Sequence, residues 1–364
     1  MEKQKLLKEF DSFAKSLKKS DNIAVCYHAD ADGMASCLVI DKAINKLLGK
    51  RVLTYPRHNP AEAINLELVN ELEERKVNKV IFADLSFAVQ RELIQDLTEF
   101  AEVLIIDHHK IYEELNSEKV VFINALYIEE KIPPSNYPAC KMCYDLFSRI
   151  VSLKEIEWIV LFGLKGDVSE KHWKKFVAKA HKKFPDKLII FLLDSLSAIA
   201  ALSPKDFENV YKQFFEAKNP KALMKSDLGK YVKEYKQLIS LWLQKIKKEA
   251  EVFKDIELVF YNMGKEKRSI KSFLVDEVKK LFPGKTIILL QDKGNGFSTM
   301  SARREDGKIK VNNLLERAVK DLDHSAAGGH DPAAGGIILT EDIEQFKKNV
   351  IRLLKAKYEG KGTE

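Results

Sequence analysis

The sequence predicts an α/β protein with an N-terminal doubly wound parallel sheet, a helical connector and a smaller C-terminal α/β domain. Three observations carry this. The chain has 364 residues, more than one ordinary core needs. From residue 22 to 125, short β-branched runs alternate with helical periods. From about residue 256 a second alternation begins, after a long stretch that is helical throughout.

The opening "MEKQKLLKEFDSFAKSLKKS" mixes charge with helical apolar spacing and reads as an amphipathic first helix. The strand runs that follow are "NIAVCYH", "RVLTY", "KVIFADLS", "EVLIIDHH" and "VVFINA", each apolar throughout, as expected of parallel strands covered on both faces. Between them lie the helical stretches "GMASCLVIDKAINKLLG", "PAEAINLELVNELEERK" and "AVQRELIQDLTEFA". "YPACKMCYDLFSRIVS" and "KEIEWIVLFGLKGDVSE" close this domain as helices, and residues 171–255 carry long helical periods with no strand signal. Thereafter "IELVFYNM", "KTIILLQDKG", "GFSTMSARRE" and "GGIILT" read as strands among the helices "SIKSFLVDEVKKLF", "VNNLLERAVKDL" and "EDIEQFKKNVIRLLKAKY". The expected divisions are 1–190, 191–255 and 256–364.

With 45% hydrophobic and 32% charged residues, the composition is that of a globular protein with a heavily charged surface. Lys and Arg outnumber Asp and Glu by 61 to 54, a net charge of +7 that favours a polyanionic partner without requiring one. The four cysteines, Cys26, Cys37, Cys140 and Cys143, make no disulfide framework and no signal peptide is read, so a reducing, cytoplasmic setting is expected. No run of about 18 apolar residues is long enough to span a bilayer, so no membrane partner is expected. Cys140 and Cys143 form a C-x-x-C in a helical period with no second pair at zinc spacing, and read as packing residues.

The chemistry gathers at strand ends. Side chains two apart on a strand share a face, which directs His28, Asp30 and Asp32 together at the end of the first run. The third run ends in Asp84 and the fourth in Asp107, His108 and His109, while Asp167 ends a helical apolar run before a turn. Open α/β sheets bind ligands at that edge. Carboxylates crowded there repel one another unless cations intervene, so a metal site is the simplest resolution; mixed carboxylate and imidazole donors suit manganese, zinc or iron better than calcium, with room for two ions.

In order, these residues are D-x-D-G at 30–33, Asp84, D-H-H at 107–109 and G-x-x-G-D at 163–167. That set resembles the DHH phosphoesterase superfamily, which includes RecJ exonucleases, oligoribonucleases, cyclic-dinucleotide phosphodiesterases and manganese pyrophosphatases. "AGGHDPAAGG" at 327–336 and "STMSARR" at 298–304 resemble the glycine-histidine loop and S-x-R strand of the DHH-associated substrate-binding domain. The resemblance implies two divalent ions, manganese first, with magnesium or cobalt as alternatives. It implies Asp30 on one metal, Asp32 on the other, Asp84 bridging, and His108 and Asp167 completing the second. His109 would contact the scissile phosphate and Asp107 would orient its neighbours; both are candidate catalytic residues. The pyrophosphatase and cyclic-dinucleotide branches carry a histidine where this chain has Cys26; the H-x-D-x-D-G here is more RecJ-like, leaving His28 as a ligand or a group behind one. Ser301, Arg303, Gly328, Gly329, His330 and Gly335, with Gly336, would bind substrate, the glycines admitting backbone N–H groups to a phosphate and Arg303 acting as a bidentate fork.

The expected activity is a metal-dependent single-strand exonuclease on DNA, RNA or both, by attack of a water activated between two metals. The basic stretch "KHWKKFVAKAHKKFPDK" from 171, with seven lysines, one acid, Trp173, Phe176 and Phe184, fits either a single-strand path or the buried face of an amphipathic helix. "KEKR" at 265–268 and the Arg303–Arg304 pair are further basic features. The Lys-, Glu- and Ile-rich composition suggests a thermophile, and archaeal RecJ-like nucleases, some of 3′ to 5′ polarity, are the nearest resemblance. The alternatives are an oligoribonuclease or cyclic-dinucleotide phosphodiesterase, and an inactive replication scaffold. A helicase or replisome partner follows by family analogy.

Overall fold

The computed structural model describes residues 3–58, 64–85 and 91–360. They fall into two compact units, Met1–Leu196 with Lys205–Gly229, and Ser197–Pro204 with Lys230–Glu364.

The first unit opens with α1 (Lys3–Ser16), then β1 (Ile23–His28), α2 (Ala31–Leu48), β2 (Leu53–Arg57), α3 (Leu66–Glu74), β3 (Lys79–Ala83), α4 (Arg91–Phe100), β4 (Glu102–Asp107) and β5 (Val120–Asn124). The five strands make one parallel sheet in the order β2-β1-β3-β4-β5. The helical pattern read over 60–76 and 88–101 appears as α3 and α4; residues 60–63 and 88–90 lie outside the described residues. Pro56 sits in β2, an edge strand where its missing N–H breaks no interior ladder.

The strands read as continuous apolar runs because both faces are covered. Ala24, Cys26, Val80, Phe82, Val103 and Ile105 pack under Leu68 and Leu72 of α3 and Ile94 and Leu97 of α4. The alternating set Val25, Tyr27, Ile81, Leu104 and Ile106 is equally buried, on the side of α2 and the later helices. Those helices are α5 (Ala125–Ile128), α6 (Ala139–Phe147), α7 (Glu157–Gly166), α8 (Lys174–His181), α9 (Asp186–Leu202), α10 (Phe207–Glu216) and α11 (Pro220–Leu223). Cys140 and Cys143 are buried free thiols on α6, as packing residues should be.

Helix α2 lies between β1, α6, α7 and α10 and is buried on nearly every side from Ala31 to Ile44. Its link to α10 is polar. The buried Asp41 carboxylate accepts from Arg51 Nε and from the Tyr211 hydroxyl at 2.8 and 2.9 Å, and the Arg51 guanidinium lies 3.3 Å over the Phe215 ring.

The second unit takes the end of α9 and most of α12 (Leu228–Glu249), followed by β6 (Glu251–Phe253), β7 (Leu258–Lys265), α13 (Lys271–Leu281), β8 (Thr286–Asp292), β9 (Phe297–Arg303), α14 (Val311–Val319), β10 (Ala326–His330), β11 (Ala333–Leu339) and α15 (Ile343–Tyr358). Its six strands run in the order β10-β11-β9-β8-β7-β6, with only β7 and β8 parallel. Met300 and Ala302 face α14 and α15; Val259, Ile287 and Leu289 face α12 and α13.

Three expectations are corrected. Residues 171–255 are not free of strand, since β6 extends the sheet edge with three half-exposed residues too few to show a period. The glycine-histidine segment is a hairpin rather than a loop: β10 and β11 pair directly, with Asp331 and Pro332 at the turn. Arg304, counted among the basic features, is wholly buried and held by Asp306 at 2.8 Å and by Glu257, so it supports the fold.

Tyr211→Phe removes a donor from a buried carboxylate and should lower stability by about 1–2 kcal/mol, a Tm drop of roughly 2–6 °C in thermal unfolding. An unchanged Tm would show that Asp41 does not depend on that hydroxyl.

Candidate metal centre and substrate face

In a sheet of this order the chain reverses direction at β1, which opens a crevice at the carboxyl ends of β1 and β3. His28, the last residue of β1, Asp30 just beyond it and Asp84, just beyond β3, stand at that crevice. Asp30 caps α2, its Oδ1 accepting from Gly33 N at 2.9 Å. Gly33 is required because α2 closes so tightly on β1 that a Cβ there would collide with the His28 backbone.

Asp84 lies at the centre. One of its oxygens is 3.8 Å from His28 Nδ1, and the other is 3.3 Å from His108 Nε2 and 4.0 Å from His109 Nδ1. Its φ of 61° is in the left-handed region, costly for a residue with a Cβ and typical of sites where surrounding structure imposes the geometry. Two groups of donors with metal-ligand spacing share it: His28, Asp30 and Asp84, and Asp84, His108 and His109.

Asp107 accepts from the His109 backbone N–H and holds the His109 ring at Nδ1, 2.8 Å away, so that Nε2 is the ring nitrogen not taken by this contact. Asn124, paired with Asp107 across β4 and β5, donates to the His109 carbonyl at 3.0 Å. No motif marked Asn124, although its position at the end of β5 is where such a support belongs. Asp32 is buried, and its oxygens accept from the Ala139 and Cys140 N–H groups at the start of α6 at 2.8 and 2.9 Å, with His108 3.9 Å off. Asp32 thus stands outside both three-donor groups, though each carboxylate oxygen retains a second lone pair.

The titration of these groups reflects how closely the acids and imidazoles are packed. Burial alone would raise the Asp84 carboxyl, yet hydrogen bonds from His108 and His28 hold it far below its usual range. Burial opposes charge on His28 and His108, but Asp84, with Asp30 beside His28 and Asp32 near His108, pushes both up to about 10. Burial and the neighbouring acids lift Asp167 to about 6 and Asp32 well above its usual range. Protons held by two histidines thus occupy the role of counter-cations. The His108 Nδ1 and one Asp167 oxygen are buried with no hydrogen-bond partner. Divalent cations fit this donor set: they would displace the protons and satisfy acids that the protein leaves short of donors.

In the second unit, strand pairing sorts the expected substrate residues by face. Ser301 lies opposite Gly335, which lies opposite Gly328; Arg303 lies opposite Ala333, which lies opposite His330. These share one face, while Gly329 and Gly336 belong to the other. Gly329 has a φ of 135° and is pressed against the Ala333 and Ala334 backbone, so its role is conformational, whereas a Cβ at Gly328 would meet nothing. Arg303 does not present an open fork, because Asp276 engages its Nε at 2.9 Å and its Nη2 at 3.4 Å.

The same face holds a residue that the sequence reading missed. Lys271 is buried with its ammonium 3.0 Å from the Ser301 hydroxyl, and Lys293 and Arg303 are its charged neighbours. Burial, reinforced by these cations, lowers it to about 7. Thr299, two residues before Ser301, has a buried hydroxyl without a partner. Cations gathered with spare hydroxyl donors are suited to an anion.

The N-terminal domain of the DHH family matches residues 22–163, and the DHHA1 domain matches residues 258–356. The chain belongs to the DHH superfamily. Among curated proteins none matches significantly. Solved DHH structures share its fold. An exonuclease RecJ bound to manganese superposes with a TM-score of 0.67 at 18% identity, covering 96% of this chain and 94% of that one. A RecJ from Thermus thermophilus in complex with Mn2+ gives 0.67 at 16% identity over 96% of this chain but 54% of that one. A pGpG-specific phosphodiesterase from Vibrio gives 0.55 at 15% identity over 93% and 100%.

Lys271 provides a pH test of the DHHA1 face. Between about 7 and its ordinary 10.5, the unfolded chain keeps a proton that folded Lys271 has released, so this group's contribution to stability rises with pH across that window. Lys271→Met should be at least as stable as wild type near pH 7, and the gap should close as pH approaches 10 in paired thermal melts. A gap that does not change with pH would remove Lys271 from this account.

Proposed function

We propose that the protein is a metal-dependent exonuclease that hydrolyses phosphodiester bonds in single-stranded nucleic acid. The observation that carries this is the pair of three-donor groups sharing Asp84 at the sheet's switch point. Two divalent cations, manganese first, would be held by His28, Asp30 and Asp84 on one side, and by Asp84 and His108 on the other, where Asp32 and Asp167, which lie outside the three-donor groups, would complete the set as the family resemblance implies. When bound, such cations supply a hydroxide nucleophile near neutral pH and neutralise charge on the phosphate.

The remaining roles belong to the protein. Asp107 fixes the His109 ring so that Nε2 can donate to a phosphate oxygen. Asp84 turns one oxygen toward His28 and the other toward His108 and His109. On the DHHA1 face, Lys271, Ser301, Gly328 and His330 form a surface for a second phosphate, with Arg303 available if Asp276 releases it. Likeness to an exonuclease RecJ over nearly the full length of both chains supports the exonuclease reading, and the +7 charge suits a polyanionic substrate. Likeness to the whole of a pGpG-specific phosphodiesterase favours a dinucleotide phosphodiesterase as the second reading.

The test is digestion of DNA and RNA strands labelled at either end, with manganese and with chelator. Progressive shortening with manganese, starting from the 3′ end, and none with chelator is the expected result. Asp84→Asn should lose about a thousandfold or more in rate while keeping its fold by circular dichroism. Full manganese-dependent hydrolysis by that variant would overturn the assignment, and cleavage confined to dinucleotides would select the second reading.

A further inference from the structure

Residues 164–257 lie outside both matched domains, and within the first unit they build a cleft of about 700 Å³. The turn between α8 and α9 forms one wall and α11 the other. Phe184, Pro185, Pro220 and Met224 give the cleft an apolar lining, and Lys183, Lys187 and Lys221 stand around it.

The carboxylates around this cleft are already engaged. Buried Glu157 takes Lys179 at 3.0 Å and Lys183 at 3.5 Å, and Asp186 takes Lys165 at 2.9 Å. Lys187 and Lys221 make no ion pair among the described residues, and neither do the exposed Lys182, Lys218 and Lys225 beside them in sequence. A solvated lysine face is ordinarily polar between its charges. Here the lysines surround a concave apolar surface on which Met224 is 46% exposed. The other two aromatics of this basic stretch are committed elsewhere. Trp173 donates to the Asn136 carbonyl and packs on Tyr137, and Phe176 packs on Tyr144.

A ligand matching this cleft must offer several negative charges and a flat apolar surface between them. Nucleotides in a single strand do so, with phosphates for the lysines and a base for Phe184 and Met224. We propose that the α8–α11 cleft is an accessory binding site for single-stranded nucleic acid, an inference that rests on the nuclease reading above. Such a site would retain a strand during successive cleavages, and it would be of little use for a dinucleotide.

The test uses the full-length double variant Lys187→Glu/Lys221→Glu, with Lys5→Glu/Lys8→Glu on α1 as a control of equal charge change. Binding of a fluorescent oligothymidylate, followed by anisotropy in chelator, should weaken about tenfold in the cleft variant, and its salt dependence should flatten by roughly 1.4 in log–log slope. The control should change neither, and dinucleotide hydrolysis with manganese should be unaffected in both. Equal weakening in the control, or undiminished binding by the cleft variant, would overturn the accessory site while leaving the nuclease reading intact. A wild-type protein that neither binds nor cuts any strand would overturn both.

Discussion

The structure depends on one carboxylate. Asp84 touches three imidazoles that arrive from two different strand ends, and it does so from a backbone conformation that an aspartate adopts only under constraint. The constraint comes from the parallel sheet: the Asp84 N–H donates to the Ile106 carbonyl of β4, which sets where the chain leaves β3. Strand order places β1 beside β3, so Asp84 meets His28 across the crevice; β4 on the other side of β3 brings the DHH triplet. A different strand order would separate the same residues.

Around this centre the protein commits its polar contacts to position. Asp30 is tied to Gly33 and His28, Asp32 to the first amides of α6, Asp107 to His109, and Asn124 to the turn that carries it. The helix start at α6 favours a carboxylate partner and opposes, without outweighing, the burial and neighbouring negative charge that raise Asp32. The donor set is therefore preorganised, and cations entering it would meet ligands already oriented and partly desolvated.

Much of this was legible in the sequence. Continuous apolar runs followed by acids and histidines at four element ends foretold the sheet and the meeting of Asp30, Asp84, His108 and His109 at one of its edges, because strand ends in an open α/β sheet have a fixed spatial meaning. His28, left open as a ligand or a group behind one, falls into one of the donor groups with Asp30 and Asp84. What escaped was set by tertiary context. β10 is built from Ala and Gly, which lack the branched side chains that announce a strand, and its identity comes from pairing with β11. Lys271 resembles any helix lysine until the sheet covers it, and Arg304 resembles a surface cation until Glu257 and Asp306 enclose it. The two amides that hold Asp32 could not be read from the sequence, because they lie more than a hundred residues away.

Helix α2 carries Asp30 and Asp32 at one end and is clipped to α10 through Asp41, Arg51 and Tyr211 further along. This connection makes the helical segment a thermodynamic partner of the metal centre. Any cation that favours the ordered start of α2 also favours the packing of α10, since α2 cannot shift without disturbing that clip. Amide protons in α10, which lie on no ligand, would exchange more slowly when the centre is loaded, and the segment would act as a reporter of occupancy.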